Sequence, residues 1–424
     1  MKKLLVLGTS VGSVDIVQYA RSIGIYTVVA DNLPPEKSAA KRVADEAIMI
    51  STADVNALIE YAKANQITAA FAGVSEFNIE NARKVNEALG VPFYYTPEQW
   101  NRFMNKGNFR QLCQNYSVMT PETYFIGSKK EYRLLNKESI VYPVIVKPVD
   151  NGANVGISIC RNETDLDLAL TIAFAESKTE KAIIERFIEG PEISSTYVVQ
   201  NHRCKLVCFG LKFAYKNEKG LQALAHGYIY PSPNVKDYLE KASPAVEKMI
   251  LMEGLNNCTI FFQGIYNNHD YYLFEAGLRM EGTATFRITE AMNGQNFMKF
   301  MVDNVLNIES NYNIEKEDAT FSGKQCFIFS LIANEGTISR IEGTEQIAEE
   351  NTIISFEQRH YIGTRIENDG TLRQILFRFA IKDESVSNVI ETIKWIKKTI
   401  RVFDENGNDM LIREFDPAVM LKPF

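Results

Sequence analysis

The sequence contains few of the residues that build zinc sites and disulfide frameworks. Its 4 histidines form no HxH or HExxH spacing, and its 6 cysteines form no CxxC pair. Cys204 and Cys208 come closest, but they lie in an alternating apolar run in which buried free thiols are common. The composition therefore speaks against a structural zinc ion or a disulfide-stabilised fold.

Long apolar runs and a basic surplus are missing as well. No segment reaches the ~20 consecutive apolar residues of a membrane helix. The formal net charge is −7 at pH 7, whereas nucleic-acid-binding proteins usually carry a basic face or stripe. With 424 residues, 46% of them hydrophobic, the sequence predicts two or three globular domains. The first residues lead directly into a strand-and-turn pattern, so a cytoplasmic location is expected.

The chain opens in an order typical of nucleotide-binding α/β domains. The pattern predicts a strand, a turn, an amphipathic helix and a second strand at residues 3–7, 8–12, 14–23 and 26–30. The second strand ends at Asp31, an acid that would suit a dinucleotide ribose. The turn, however, lacks the G-x-G-x-x-G pattern that lets backbone approach a pyrophosphate. A nicotinamide oxidoreductase and an α/β unit without dinucleotide binding are both compatible with this pattern.

Further elements continue along the chain. Helices and a strand are predicted at residues 55–65, 69–72 and 78–89, and another helix begins after Thr96. Two more helices are predicted at residues 164–174, capped by Thr164, and at residues 237–252. Beyond residue 313, short strands at residues 325–332, 337–341 and 376–381 and a helix at residues 385–400 predict a compact α+β region.

A lysine and a glycine-containing loop follow an apolar run in the second quarter of the chain. Residues 142–156 read YPVIVKPVDNGANVG, in which Lys147 closes the apolar run and residues 150–156 form the loop. Gly152 and Gly156 would let backbone N–H groups approach an anion closely, and Lys147 adds a positive charge beside it. The pattern predicts either a mobile cover over a phosphate chain or an ordinary hairpin with an exposed lysine.

Two acids flank a strand that ends in a Gly-Pro turn. Residues 182–192 read AIIERFIEGPE, with Glu185 inside the strand and Glu192 just after the turn. An extended segment of this kind can offer backbone groups to an adenine edge, while Glu192 accepts hydrogen bonds from ribose hydroxyls. The segment is therefore a candidate nucleoside-binding strand.

Two polar side chains are predicted to meet on a hairpin. Residues 259–266 and 271–279 predict two strands around a turn, with Gln263 on the first strand and Glu275 on the second. Hard oxygen ligands from neighbouring strands are what Mg²⁺ prefers when phosphates and waters complete its coordination. The hairpin is therefore a candidate metal site.

Taken in order, these segments resemble ATP-grasp proteins of the branch that contains biotin carboxylase, carbamoyl-phosphate synthetase and phosphoribosylglycinamide synthetase. The resemblance covers roughly residues 1–310 and is weaker beyond. It implies an α/β and α+β fold in three parts: a Rossmann-like pre-ATP-grasp domain at residues 1–104, an ATP-grasp nucleotide domain at 105–312 and a small C-terminal α+β domain at 313–424. By the same resemblance, Ser10, Ser13 and Glu76 either face substrate or are loop residues at strand ends.

The resemblance also assigns roles to individual residues. It implies that ATP contacts Lys106, Lys147, Asn151, Gly152, Gly156, Glu185, Arg186, Phe187, Ile188 and Glu192. Gln263 and Glu275 would bind Mg²⁺ or Mn²⁺, and Lys147 and Arg279 would act on the transferring phosphate. Arg287 would clamp a substrate carboxylate or pair with a neighbouring acid. His226 would be a base near the acceptor or an ordinary surface histidine.

One position departs from the family pattern. The second metal strand of the family usually reads Glu-x-Asn-x-Arg, and here Gly277 stands at the asparagine position between Glu275 and Arg279. Glycine supplies no side-chain oxygen, so a second Mg²⁺ would need water, a backbone carbonyl or Glu281 instead. Since metal ions neutralise charge in phosphoryl transfer, this change bears on turnover more than on nucleotide binding.

The function implied by the resemblance is an ATP- and Mg²⁺-dependent ligase. It would activate a carboxylate as an acyl phosphate for attack by an amine or another nitrogen nucleophile. The alternative is an ATP-grasp protein that binds nucleotide with little or no turnover, because Gly277 replaces a metal ligand. The expected partners are small-molecule carboxylate and amine substrates, with no nucleic acid or membrane, and a homodimer is plausible because relatives often pair.

Overall fold

The N-terminal part of the chain is a parallel sheet with helices on both sides. The computed structural model describes residues 1–150, 155–216, 222–348 and 350–421. The N-terminal strands are β1 (Lys3–Leu7), β2 (Tyr26–Ala30), β3 (Glu46–Ile48) and β4 (Ala69–Ala72), in the sheet order β3-β2-β1-β4. The accompanying helices are α1 (Ser13–Ser22), α2 (Ala39–Val43), α3 (Val55–Ala64), α4 (Glu76–Leu89) and α5 (Pro97–Met104).

Burial on β1 shows why this sheet is parallel. Leu5 and Leu7 lie in one apolar cluster, and Leu4 and Val6 lie in another on the opposite face. A strand that is apolar on both faces must be covered on both faces, which is typical of parallel sheets. The predicted strands at residues 3–7, 26–30 and 69–72 are confirmed, and Thr96 caps α5 as expected.

A small antiparallel sheet follows. Its strands are β5 (Thr123–Ser128), β6 (Val144–Pro148), β7 (Ser158–Cys160) and β8 (Lys181–Arg186), in the order β5-β8-β6-β7. The helices of this region are α6 (Lys106–Asn115), α7 (Lys129–Tyr132) and α8 (Glu163–Glu176). The N-cap of α8 is Asn162, whose side chain accepts from Asp165 N, and not Thr164 as the sequence predicted. Asn162 precedes the first helical residue, which is the geometry that capping requires.

An eight-stranded antiparallel sheet forms the centre of the molecule. Its strand order is β13-β12-β9-β10-β11-β14-β18-β16. These strands are β9 (Glu192–Gln200), β10 (Arg203–Lys216), β11 (Gln222–Tyr230), β12 (Cys258–Asn267), β13 (Asp270–Gly277), β14 (Gln325–Ile332), β16 (Ile353–Gln358) and β18 (Ile375–Asp383). A third small sheet contains β15 (Gly336–Glu342), β17 (Arg365–Ile366) and β19 (Arg401–Asp404).

Helices pack around the central sheet. They are α9 (Val235–Lys241), α10 (Ser243–Met252), α11 (Thr285–Asn293), α12 (Phe297–Val305), α13 (Thr344–Ala348) and α14 (Val386–Thr399). The single helix predicted at residues 237–252 is two helices, because the chain breaks at Ala242 and Pro244 stands in the first turn of α10. Proline is favoured at a helix start and breaks a helix interior. Within the described ranges, no helix is long and apolar enough to cross a bilayer.

The C-terminal region is joined to the centre of the molecule by strand pairing. β14 pairs with β11, with Tyr228 opposite Ile328, and β18 and β16 extend the same sheet. The predicted α+β region beyond residue 313 therefore contributes three strands to the sheet that carries β9–β13. Among the described strands of this region, β15, β17 and β19 form a separate sheet. Local sequence patterns cannot show this pairing, since β11 and β14 are about a hundred residues apart.

Candidate functional site

One face of the central sheet carries polar side chains on neighbouring strands. Gln263 on β12 lies directly opposite Glu275 on β13 and opposite Ser194 on β9. Directly opposite residues point to the same side of a sheet, so the three side chains share a face. Gln263 and Glu275 are half-buried, as the predicted hairpin required. Two oxygen-bearing side chains side by side at a partly solvated position fit a hard cation such as Mg²⁺ or Mn²⁺.

Lys147 lies beside this hairpin in a largely buried position. The residue is 5% exposed, and its ammonium group is 2.6 Å from a carboxylate oxygen of Glu185. It also lies 5.5 Å from the centre of the Phe274 ring. Burial lowers the pKa of Lys147, Glu185 opposes the change, and the positive charges of Arg110 and Lys106 reinforce it. The alternative of an exposed hairpin lysine is therefore wrong.

Glu185 is shared between two cations. Its side chain is fully buried and forms a second ion pair with Arg110 on α6. Burial alone would raise the pKa of Glu185, but Lys147 and Arg110 outweigh it and lower the pKa to about 2. The same Arg110 donates to the carbonyl oxygen of Phe274 at 2.8 Å, so the network reaches the residue before Glu275. Glu185 therefore fixes the ammonium group of Lys147 through an ion pair. Its carboxylate is fully buried, so it does not line the adenine as the resemblance implied.

Lys106 completes a group of positive charges around the hairpin. It is the first residue of α6, which Asn105 caps through the N–H groups of Gly107 and Asn108. Its ammonium group is 3.8 Å from Glu275. Positive side chains at a helix N-terminus create an environment that favours phosphate.

A cavity lies next to the segment that follows β8. It has a volume of about 480 Å³, and its lining consists of Thr120, Glu122, Arg186, Phe187, Ile188, Glu189, Asn267 and Tyr272. The N–H groups of Arg186 and Phe187 donate to Glu122 and Pro143. Among the residues that the structure describes, none accepts from the N–H of Ile188. An extended segment with a spare N–H and an apolar ring at a cavity of this size suits a purine base.

Glu192 does not stand free beside this cavity. Its carboxylate accepts from the ammonium group of Lys212 on β10 at 2.5 Å. Glu192 raises the pKa of Lys212 against the effect of burial, and Tyr228 and Glu275 add to the increase. A role of Glu192 toward a ribose remains a prediction, with Lys212 as a competing partner. Lys212 was missed in the sequence, because the alternation of β10 shows only that every second residue is apolar.

Arg279 lies where β13 leaves the sheet. Its guanidinium group donates to Glu76 at 2.9 Å and lies 5.0 Å from the centre of the Phe261 ring. Glu76 belongs to α4 of the N-terminal sheet region, so Arg279 links that region to the hairpin. Glu76 thus lies beside a predicted phosphate-binding arginine.

Gly277 is a position that no larger residue fits. It lies opposite Phe261 on β12, and a Cβ atom added at Gly277 would be 2.1 Å from the Phe261 ring. The ring therefore occupies the space that a family asparagine would use. Glu281, the side-chain alternative for this ligand, is 3% exposed and accepts from the Ser194 hydroxyl at 2.7 Å, and its role remains a prediction. Burial raises the pKa of Glu281.

Two basic candidates are used elsewhere. Arg287 on α11 makes two hydrogen bonds to Asp15 on α1, at 2.7 and 2.9 Å, so it pairs with a neighbouring acid as one alternative stated. His226 lies at a register shift of β11, is 7% exposed and stacks on Phe415 with ring centres 4.8 Å apart. The surface-histidine alternative is therefore wrong, and a role of His226 near the acceptor remains a prediction.

The end of β2 is closed to a dinucleotide. The carboxylate of Asp31 is 3.0 Å from the Lys41 ammonium group and accepts from the Ser38 hydroxyl and the N–H of Leu33. Asp31 is 5% exposed, so no hydrogen-bonding capacity faces solvent. This arrangement disfavours the nicotinamide interpretation.

The loop after β6 is described only at its two ends. Asn151 and Gly152 lie outside the described residues, and their predicted role remains a prediction. Asp150 accepts from the backbone N–H groups of Lys178 and Thr179 and from nearby hydroxyls, which fixes the start of the loop. Gly156 has φ +72° and lies against Pro148, so a side chain there would be strained as well as crowded.

Sequence comparisons place relatives of this chain among ATP-dependent ligases. A family described as D-ala D-ala ligase C-terminus matches residues 112–213. A D-aspartate ligase of Enterococcus faecium is 24% identical over 304 residues, which is 66% of this chain and 68% of that protein. A carbamoyl phosphate synthase large chain of Clostridium beijerinckii is 23% identical over 299 residues, which is 67% of this chain but only 27% of that protein.

Solved structures agree in fold over nearly the whole chain. Biotin carboxylase from Campylobacter jejuni has a TM-score of 0.80 at 16% identity and covers 100% of this chain and 95% of its own. An L-amino acid ligase from Bacillus licheniformis has a TM-score of 0.77 at 16% identity and covers 96% of this chain and 99% of its own. Sequence and fold therefore confirm the resemblance to ATP-grasp ligases, and the fold is that of biotin carboxylase-like ATP-grasp proteins.

Proposed function

We propose that the chain is an ATP- and Mg²⁺-dependent ligase that activates a carboxylate as an acyl phosphate and joins it to an amine or another nitrogen nucleophile. The observation that carries this proposal is the position of Lys106 and Lys147 beside the Gln263–Glu275 pair. Phosphoryl transfer requires little covalent chemistry from a protein, and depends instead on positioning and charge neutralisation. The two lysines and the two oxygen-bearing side chains beside them supply both.

These groups suggest the direction in which the nucleotide binds. We propose that its adenine binds in the cavity beside Phe187 and Ile188, where the backbone offers hydrogen bonds to the base edge. Its phosphates extend toward Lys106 and Lys147. Gln263 and Glu275 are the residues that would hold Mg²⁺ or Mn²⁺, which supplies charge neutralisation between the terminal phosphates. The ion pair between Lys147 and the buried Glu185 supports this assignment, because it fixes the ammonium group in one place.

The proposed reaction has two steps. A carboxylate oxygen of the first substrate attacks the γ-phosphorus of ATP, the bond to the β-phosphate oxygen breaks, and ADP leaves with the bonding electrons. The amine nitrogen of the second substrate then attacks the acyl carbon, the bond from carbon to the phosphate oxygen breaks, and inorganic phosphate leaves. The amine gives up a proton to solvent or to a nearby carboxylate.

Residues of the chain are assigned to stabilise negative charge and to exclude water. Arg279 is assigned to the transferring phosphate, for which it must exchange its present contact with Glu76. Lys147 stabilises negative charge from a nearly water-free position, where an electrostatic contact is stronger than in bulk solvent. An acyl phosphate hydrolyses readily, so residues 150–156 are assigned to exclude water while it exists.

A second function is favoured by one observation. The Phe261 ring fills the space opposite Gly277, so this part of the hairpin supplies no side-chain oxygen to a second metal ion. A protein that binds nucleotide with little turnover would be compatible with that geometry. We prefer the ligase function because Gln263, Glu275, Lys106 and Lys147 lie close together.

ATP consumption tests the proposal directly. ADP and phosphate release would be measured with Mg²⁺ and with pools of carboxylates and amines, supplied separately and together. We expect ADP only when a carboxylate and an amine are both present. ADP from neither pool, together with clear binding of the Mg²⁺ complex of ATP, would favour the nucleotide-binding alternative. The homodimer and the cytoplasmic location remain predictions.

A further inference from the structure

A second basic group lies on the same sheet face, away from the nucleotide residues. It consists of Arg378 on β18 and Arg359, which follows β16 directly. Arg378 is 8% exposed and lies opposite Ser330 on β14 and Glu357 on β16. A buried arginine such as Arg378 is unusual, because charged side chains are rarely buried without a partner.

Strand pairing puts these arginines on the side of the sheet that carries the candidate site. Lys212 lies opposite Tyr228, and Tyr228 lies opposite Ile328. Arg378 is opposite Ser330, two residues beyond Ile328 and therefore on the same face. Its Nη1 also donates to the carbonyl oxygen of Gly282 at 2.6 Å, three residues after Arg279. Arg378 is thus adjacent to the segment that carries the predicted phosphate contact.

Arg378 lacks the partner that other arginines of this region have. Arg287 pairs with Asp15, and Arg279 pairs with Glu76. Among the described residues no carboxylate lies within ion-pair distance of Arg378, and its buried Nε has no hydrogen-bond acceptor. The Nε of Arg359 also lacks an acceptor, with Glu357 3.5 Å away. Burial and the charge of Arg359 lower the pKa of Arg378 to about 10.

An unpaired buried guanidinium group is costly unless an anion binds to it. A planar carboxylate accepts two parallel hydrogen bonds from such a group, which is the geometry that arginine recognises best. The carboxylate that is activated must meet the phosphate, and Lys106, Lys147 and Arg279 are assigned to that place. A carboxylate at Arg378 therefore keeps its charge throughout the reaction.

We propose that Arg378, with Arg359 beside it, binds the unreacted carboxylate of the amine substrate, which makes that substrate an amino acid. This inference rests on the proposed ligase function and names the substrate class of the same site. An amide or a simple amine would leave the buried Nε unpaired, and such analogues are rejected strongly by sites built for a charged group.

Equilibrium binding separates this inference from turnover. The complex with Mg²⁺ and the non-hydrolysable analogue AMP-PNP would be titrated with a panel of L- and D-amino acids, each beside its amide. Arg378→Gln removes the guanidinium group. Arg365→Gln is the matched control, because Arg365 carries the same charge on the protein surface and pairs only with Glu367 among the described residues. Arg378→Lys keeps the charge but loses the planar fork.

We expect one or more amino acids to bind the wild type and Arg365→Gln, and their amides to bind at least about 30-fold more weakly. Arg378→Gln should raise the Kd about 100-fold and leave the Kd of AMP-PNP unchanged. If Arg378→Gln fails to fold, Arg378→Lys decides the matter, with an expected increase of about tenfold.

Three results would overturn the proposal: no amino acid binds the wild type, the amides bind equally well, or the folded Arg378 variant keeps its amino acid affinity within about threefold. Binding that depends on Arg378 without any ADP release in the turnover assay would reject the ligase function but keep the carboxylate site. ADP release from substrates that lack a second carboxylate would reject the carboxylate site but keep the ligase function.

Discussion

Two acids at strand ends, Asp31 and Glu275, look equivalent in sequence and differ completely in structure. Asp31 is almost fully buried and is satisfied by Lys41, Ser38 and a backbone N–H group. The Glu275 side chain is 40% exposed, and its contact with Lys106 is 3.8 Å long. An acid whose hydrogen bonds are already made stabilises a fold, whereas one with free oxygens beside a cation can bind a ligand. The comparison shows that remaining hydrogen-bonding capacity distinguishes the two roles better than position.

The largest effect is expected from removing each acid in turn. Glu275→Ala should lower kcat about 10²- to 10³-fold, because a preorganised charge contact is lost. Asp31→Ala should leave kcat within about twofold and instead lower the free energy of unfolding by about 3 kcal/mol, since Lys41 is left buried and unpaired. Turnover assays and urea unfolding of both variants provide the measurement. Equal losses of kcat in the two variants would contradict the comparison.

Lys147→Met tests whether a residue of the candidate site also stabilises the fold. The change leaves Glu185 with Arg110 as its one ion-pair partner among the described residues, so the free energy of unfolding should fall by about 3 kcal/mol, together with kcat. Thermal and urea unfolding at pH 7 measure the first effect. Lys106→Met is the control, since the ammonium group of Lys106 lies 3.8 Å from the partly exposed carboxylate of Glu275, so the change should affect kcat more than stability. Unchanged stability of Lys147→Met would mean that Arg110 alone satisfies Glu185.

Gly277→Asn tests whether the missing family ligand can be restored. The Asn side chain would collide with the Phe261 ring, so we expect a loss of stability of about 1–3 kcal/mol and no gain of turnover. The double variant with Phe261→Ala provides the space and should recover part of the stability lost in Gly277→Asn. Unfolding curves of the two single variants and the double variant measure the coupling between the positions. Additive losses would show that the ring does not control this position.

The smallest effect is expected at His226, which is buried like Asp31. Burial, with a contribution from Lys397, lowers the pKa of His226 to about 4, whereas an unfolded chain keeps a value near 6.5. Between these values the unfolded state binds a proton that the folded state does not, so stability decreases as pH falls from about 6.5 to 4. Between pH 7.5 and pH 5 the expected loss is about 2 kcal/mol. Urea unfolding at pH 7.5 and pH 5 should show a smaller pH dependence in His226→Phe, and an unchanged dependence would place its cause elsewhere.

Local patterns predicted the parts of the molecule that local physics determines. The strands of the N-terminal sheet and the register of Gln263 with Glu275 follow from apolar alternation and a short turn, both readable over a few residues. The same reasoning reached Lys147 because its loop and strand are adjacent. These features account for most of the candidate site.

The missed residues depend on distant pairing. Arg110 lies on a helix that reads as an ordinary amphipathic segment, and its partner Glu185 is 75 residues away. The position of Arg378 beside the site depends on β18 joining the central sheet, which no periodicity of nearby residues reveals. His226 was predicted at the surface for the same reason, since the segment containing Phe415 that covers it comes almost two hundred residues later. Each error arose where tertiary contacts override local pattern.

The continuous central sheet also limits how the chain can be divided in the laboratory. A truncated chain ending at residue 312 would lose β14, β16 and β18 and leave β11 with one unpaired edge. Unprotected edges of this kind pair with one another and promote aggregation. The last hundred residues therefore cover a sheet edge that would otherwise favour self-association. If such a truncated chain is insoluble, that result gives no information about where nucleotide binds.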